Sequence, residues 1–270
     1  MKQRVITGAC IAAVMAGVLA LSHLPYVMAA FVAFLSVMAV YELYKVGDMC
    51  KQIAPFALSL AWAAVFPFLP VPWFPSLLGI VLGLSMIAGS LAMRFFSKWN
   101  FKRPLPVFLV SLAFPILYSS LTHLRAQEQG LWYVILVIVS CFGTDTGAYF
   151  IGSAFGKHKL APELSPKKTV EGFFGGVAIN VVAYLLVGLI LRFMLPISVS
   201  LPLLAGLGVA CGVLDQLGDL TLSAIKRNFG VKDFGRLMPG HGGVLDRFDS
   251  LLFVGGFVCV FISQFPILYT

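Results

Sequence analysis

Apolar residues fall in nine long runs, at about residues 5–22, 25–43, 54–70, 73–93, 105–122, 131–152, 172–194, 201–221 and 250–268. Each approaches the roughly 20 residues that an α-helix needs to cross a bilayer. The pattern predicts an all-α polytopic integral membrane protein of about nine transmembrane helices. At one place it permits two readings: Leu69-Pro70-Val71-Pro72 separates either two full helices or the arms of one broken hairpin. The start, Met1-Lys2-Gln3-Arg4 followed by an apolar run, resembles a secretory signal. It reads better as a first spanning helix, because no Ala-x-Ala-type cleavage site follows and a second run resumes just after Pro25.

Composition agrees with the pattern. Of 270 residues, 60% are hydrophobic and 11% charged, and mean hydropathy is +0.96, against roughly 25% charged in an ordinary soluble domain. A soluble globule of this size is excluded, since it could not hide repeated membrane-length apolar runs. The five cysteines are scattered and form no CxxC or Cys/His cluster, so they read as reduced helix residues and not as disulfides or zinc ligands.

The net charge of +8 belongs to the loops. With the amino terminus in the cytoplasm, alternating loops place all but two of the 19 Lys and Arg residues inside, the exceptions being Arg125 and Arg192. This bias predicts a multi-pass protein of the cytoplasmic (inner) membrane, with amino terminus and catalytic loops cytoplasmic. Without a linker or convincing repeat, residues 1–270 read as one membrane domain. Residues 1–130 supply supporting, lipid-facing helices, and residues 131–270, which hold most of the carboxylates, supply the chemistry.

Asp215 and Asp219 lie four apart near the end of the eighth run, so a helix places both on one face. Adjacent carboxylates in a membrane helix call for a cation, a shared proton or a basic partner. Then come Ser223-Ala-Ile-Lys226-Arg227, Lys232-Asp233, Pro239-Gly240-His241-Gly242-Gly243 and Asp246-Arg247-Phe248-Asp249. Glycines allow backbone N–H groups to approach a phosphate, basic residues supply countercharge, and hard oxygen ligands without thiolates suit magnesium better than zinc. This constellation points to phosphoryl or nucleotidyl transfer. A plain positive-inside anchor would not need acids, bases and glycines so densely interleaved. A single loop histidine such as His241 more often hydrogen-bonds or caps than acts as a general base.

A third cluster comprises Asp145 within the sixth run and Ser165-Pro166-Lys167-Lys168-Thr169-Val170-Glu171-Gly172 after it. Asp145 should face the bundle interior, and Lys167 and Lys168 suit either a substrate phosphate or the anionic leaflet. The pairs Gly143/Gly147, Gly152/Gly156 and Gly172/Gly176 have helix-packing spacing.

These stretches resemble the phosphatidate cytidylyltransferases, or CDP-diacylglycerol synthases. The family signature is similar to residues 223–249 nearly position by position, with Met238 in a place usually taken by Leu, Ile or Phe, and Asp145-Thr-Gly-Ala-Tyr and the Ser165–Gly172 stretch also match. The resemblance implies conversion of CTP and phosphatidate to CDP-diacylglycerol and pyrophosphate, dependent on magnesium, with room for a second cation. It implies catalytic roles for Asp219, Asp246, Lys226, Arg227 and His241. Substrate contacts would come from Ser223, Lys167, Lys168, Lys232, Arg247, Gly242 and Gly243, and metal ligation from Asp219, Asp246, Asp215, Asp249 and Asp145. CTP, phosphatidate and membrane lipid are the expected partners, with no nucleic acid, and the small-residue faces permit a homodimer. Two rivals are a CTP-using polyprenol kinase, which would release CDP, and a cation-coupled transporter, which would leave the basic glycine loop unexplained.

Overall fold

The computed structural model describes residues 2–94, 104–238, 240, 242–265 and 267–269. Among these, nine α-helices follow the nine apolar runs in order: α1 (Lys2–Leu21), α2 (Val27–Val46), α3 (Ile53–Val65), α4 (Phe74–Arg94), α5 (Pro104–Arg125), α6 (Gly130–Phe155), α7 (Val170–Met194), α8 (Leu201–Phe229) and α9 (Leu245–Gln264). Six of them, α2 and α4 through α8, are long and apolar enough to cross a membrane. The chain is therefore a polytopic, essentially all-helical membrane protein. Many large apolar side chains point outward, as lipid contact requires: on α7, Phe174 is 67% and Phe193 87% exposed.

The third run departs from a full span. α3 has 13 residues and passes into a 3-10 turn at Phe66–Phe68. Pro67 lacks the N–H that would extend the helix, and Leu69 is extended because it precedes Pro70. One short hairpin and one long-range pair of two-residue strands also break the all-α expectation. β1 (Lys159–Ala161) pairs antiparallel with β2 (Ser165–Thr169), and β3 (Ser198–Val199) with β4 (Leu268–Tyr269).

Interior polar contacts tie the helices together. Tyr44, Ser59 and Ser111 link α2, α3 and α5 through hydroxyl contacts of 3.1 and 2.8 Å. Asn180 of α7 donates to the Gly208 carbonyl of α8 at 2.8 Å, and Gln216 of α8 donates back to the Phe173 carbonyl at 2.9 Å. Glycines let α6 and α7 meet closely: a Cβ on Gly147 would lie 3.1 Å from the Gly176 Cα, and one on Gly152 would lie 3.4 Å from the Gly172 Cα. The packing role predicted for these glycines is thus realised. With α6, α7 and α8 so joined, the polar faces of α6 and α8 meet the start of α9 at one end of the bundle.

Candidate active site

At that end, Asp145 from α6, Asp219 and Lys226 from α8, Asp233 from the α8–α9 loop, and Asp246, Arg247, Asp249 and Ser250 from α9 line a polar pocket of about 210 Å³. Helical periodicity explains the assembly. Asp219 and Lys226 are seven residues apart on α8, two turns along one face, and Asp246, Asp249 and Ser250 lie within one turn of α9. Five carboxylates and two cationic side chains share a small space next to lipid, an arrangement that needs a polyvalent ligand or mutual neutralisation.

Part of the neutralisation is internal. The Asp246 Oδ1 lies 3.0 Å from the Lys226 Nζ, and its Oδ2 accepts N–H bonds from Phe234 at 2.7 Å, Gly243 at 3.0 Å and Gly235 at 3.4 Å. One carboxylate thus gathers the loop and fixes a lysine, which also lies over the Phe234 ring, 5.5 Å from its centroid. The Asp219 Oδ2 pairs with the Lys168 Nζ at 2.6 Å, and its Oδ1 lies 3.5 Å from the Ser223 hydroxyl.

Lys168 arrives from β2 because the hairpin is held at both ends. The Thr169 Oγ1 caps α7 by accepting the Gly172 N–H at 3.1 Å, while Glu171 accepts the N–H groups of Lys157 and His158 and lies 2.6 Å from the His158 Nδ1. Burial alone would pull the Lys168 ammonium down, but Asp219, with Asp145 and Asp215 behind it, outweighs that and holds its pKa above the ordinary lysine value. A raised lysine pKa gives stabilisation that is complete below the unfolded value of about 10.4 and is lost as pH rises through the higher folded value. The pair is therefore intact across the neutral range. Lys168→Gln should weaken nucleotide-dependent turnover by about 10- to 100-fold, with the same deficit at pH 6.5 as at about pH 8.5. Paired pH–rate profiles of wild type and variant check this, and a deficit that closes at the higher pH would contradict it.

The cytidylyltransferase family's sequence pattern matches residues 2–265, almost the whole chain. The chain belongs to that family. Phosphatidate cytidylyltransferase of Bacillus subtilis strain 168 is 34% identical over 272 residues, 98% of each chain, and that of Staphylococcus aureus strain COL is 34% identical over 236 residues, 84% of this chain and 86% of the relative. The match to the Staphylococcus epidermidis enzyme of strain RP62A is 45% identical over 130 residues and spans about half of either chain, 48% of each.

Of the residues expected to serve a cytidylyltransferase, Asp145, Asp219, Lys226, Asp246, Arg247 and Asp249 converge on the pocket. Lys168 and Ser223 touch it through Asp219. Asp215 lies one turn earlier on α8, fully buried behind the lining. Gly242, at φ +91°, and Met238 exchange backbone hydrogen bonds of 2.9 and 3.2 Å across the turn, and Gly243 donates to Asp246. Arg227 turns elsewhere: its Nε donates to the Leu164 carbonyl at 3.2 Å and its Nη1 to the Val231 carbonyl at 2.9 Å, fastening the β1–β2 hairpin to the end of α8. Lys167 and Lys232 are exposed outside the lining, and His241 lies outside the described residues.

Three residues absent from the expected set take part. Asp233 and Ser250 line the pocket. Glu42, on α2, is 2% exposed and accepts the N–H groups of Val244 and Leu245, each at 2.9 Å. Its signal was present in the sequence as an acid inside an apolar run, which by default marks function.

Among the described residues no three His, Cys, Asp or Glu side chains form a ready-made metal cluster. Magnesium asks for less, because it keeps several waters and is commonly held by one or two carboxylates together with substrate phosphates. A pocket lined by carboxylates, with no sulfur ligand, fits that donor set.

Proposed function

We propose that the chain is a phosphatidate cytidylyltransferase, making CDP-diacylglycerol and pyrophosphate from CTP and phosphatidate for phospholipid synthesis. The observation that carries this reading is the adjacency of two unlike cavities. Beside the polar pocket runs an apolar groove of about 600 Å³ between α4, α5, α8 and α9, lined by Leu84, Ala88, Leu109, Leu222, Ile225 and Phe253 among others. Leu222 stands three residues after Asp219 and four before Lys226, and Phe253 stands four after Asp249, so groove and pocket neighbour each other along the same two helices. A lipid with a phosphate head and acyl tails matches that pairing.

In this reading an oxygen of the phosphatidate phosphate attacks the α-phosphorus of CTP, the bond from that phosphorus to the bridging oxygen breaks, and pyrophosphate leaves. The attacking phosphate is already anionic, so alignment and charge neutralisation matter more than a strong base. Lys226 and Arg247 face the nucleotide phosphates, while Lys168, held against Asp219, is near enough to move to incoming phosphate. Magnesium, held by Asp219 and Asp249 with Asp145 and Asp246 close by, would neutralise charge on the triphosphate, and a second cation has carboxylates to share. The amino terminus and the pocket lie on the cytoplasmic side, where CTP is found, and the tails enter sideways from the inner leaflet.

The decisive assay is pyrophosphate release from CTP by purified protein in detergent, with and without phosphatidate and magnesium. The expected result is release that needs both additions. CDP release would indicate γ-phosphoryl transfer by a lipid kinase, and folded protein without CTP turnover would overturn the reading.

A further inference from the structure

We infer that Glu42, from the amino-terminal half of the chain, is a positioning residue for the nucleotide end of the site: it locks the turn that carries Gly242, Gly243, Asp246 and Arg247. The inference rests on the reading that this pocket transfers a cytidylyl group from CTP.

Three observations converge on it. Glu42 is buried on α2 among apolar neighbours, where a carboxylate is costly unless its oxygens are satisfied. Both are: Oε1 accepts the Val244 N–H and Oε2 the Leu245 N–H, at 2.9 Å each. These are the first donors of α9, and Val244 occupies the cap position with no side-chain hydrogen bond of its own. A helix whose own sequence lacks a capping side chain is therefore capped from another helix, and the carboxylate also meets the positive end of the α9 dipole.

The third observation concerns space. Gly235 and Gly243 back directly onto the Glu42 carboxylate, so that a Cβ on either would overlap it. The same two glycines donate N–H bonds to Asp246 on the other side. The loop is thus gripped between two carboxylates: Asp246 facing the pocket and Glu42 facing away from it. Glu42 does not line the pocket, so it acts through the loop and not on substrate. Removing its charge would free the two amides at the start of α9 and let the turn shift, and displacements of about 1 Å at such a site cost on the order of 100-fold in rate.

The test compares wild type, Glu42→Gln, which keeps one acceptor oxygen, and Glu42→Ala, all purified in detergent, with KM for CTP and for phosphatidate measured separately on the folded fraction. Glu42→Ala is expected to raise the CTP KM about 10- to 100-fold while leaving the phosphatidate KM near wild type, and Glu42→Gln to restore part of the loss. A wild-type CTP KM in folded Glu42→Ala, or a loss wholly accounted for by unfolded protein, would overturn the inference. Should wild type itself release no pyrophosphate, the proposed function fails instead. The grip on the loop is then judged by hydrogen exchange over residues 234–247, which should quicken at least tenfold in Glu42→Gln relative to distant helices, and unchanged exchange would overturn it.

Discussion

Asp246→Ala is expected to reduce pyrophosphate release by about 100- to 1,000-fold and also to lower thermal stability markedly. The double effect follows from its partners. The Asp246 side chain is 2% exposed and Lys226 11%, so alanine would strand a buried ammonium and leave the N–H groups of Phe234, Gly235 and Gly243 without their acceptor. Breaking one side of a buried pair costs roughly 3–5 kcal/mol. Asp246→Asn, which keeps an acceptor oxygen for the loop, should regain part of the stability but little of the activity. Thermal unfolding in detergent measured beside turnover separates the two effects, and an alanine variant with near wild-type turnover would show that Asp246 only builds the loop.

Asp219→Asn should behave differently, with a comparable loss of turnover and a smaller loss of stability than Asp246→Ala. Asp219 accepts no backbone N–H in its contacts with Lys168 and Ser223, and its side chain is 28% exposed. Its ion pair with Lys168 is partly buried, with the lysine Nζ out of contact with solvent, so asparagine leaves that ammonium short of its counterion but strands no loop amide. The carboxylate is thus available for charge neutralisation during the reaction, and removing it should cost about 100- to 1,000-fold in rate. The same unfolding and turnover measurements apply. Folded Asp219→Asn that keeps its activity within a few-fold would remove Asp219 from the proposed cation site.

Much of this was legible in the sequence because membrane helices announce themselves by length and apolarity. The nine runs match the nine described helices within a few residues at most ends. The exceptions have local causes. The third run looked long because Phe66, Phe68 and Leu69 are apolar, yet Pro67 and Pro70 end the helix whatever the hydropathy. The β1–β2 hairpin was invisible because strands of three and five residues, one containing Pro166, are too short to show an alternating pattern.

Within the site, residue identity and helical spacing were informative where side chains share a face, as for Asp219 and Lys226, and uninformative where a partner comes from elsewhere in the chain. Arg227 sits in the signature beside Lys226, yet one residue on a helix turns the side chain by about 100°, and its guanidinium meets the Leu164 and Val231 carbonyls. Glu42 lies in the half of the chain assigned to support, and only three-dimensional packing brings it to the start of α9.

That contact also sets an order of events during synthesis. Glu42 and Val244 are 202 residues apart in the chain. At translation rates of about 5–20 residues per second, α2 waits roughly 10 to 40 s for its partner. Through that interval the ribosome delivers α3 through α8 and the loop that follows, while the Glu42 carboxylate waits without its two amide partners. The pocket therefore closes only when α9 follows them, so a nascent chain can be inserted and largely packed while still unable to hold its nucleotide loop in place.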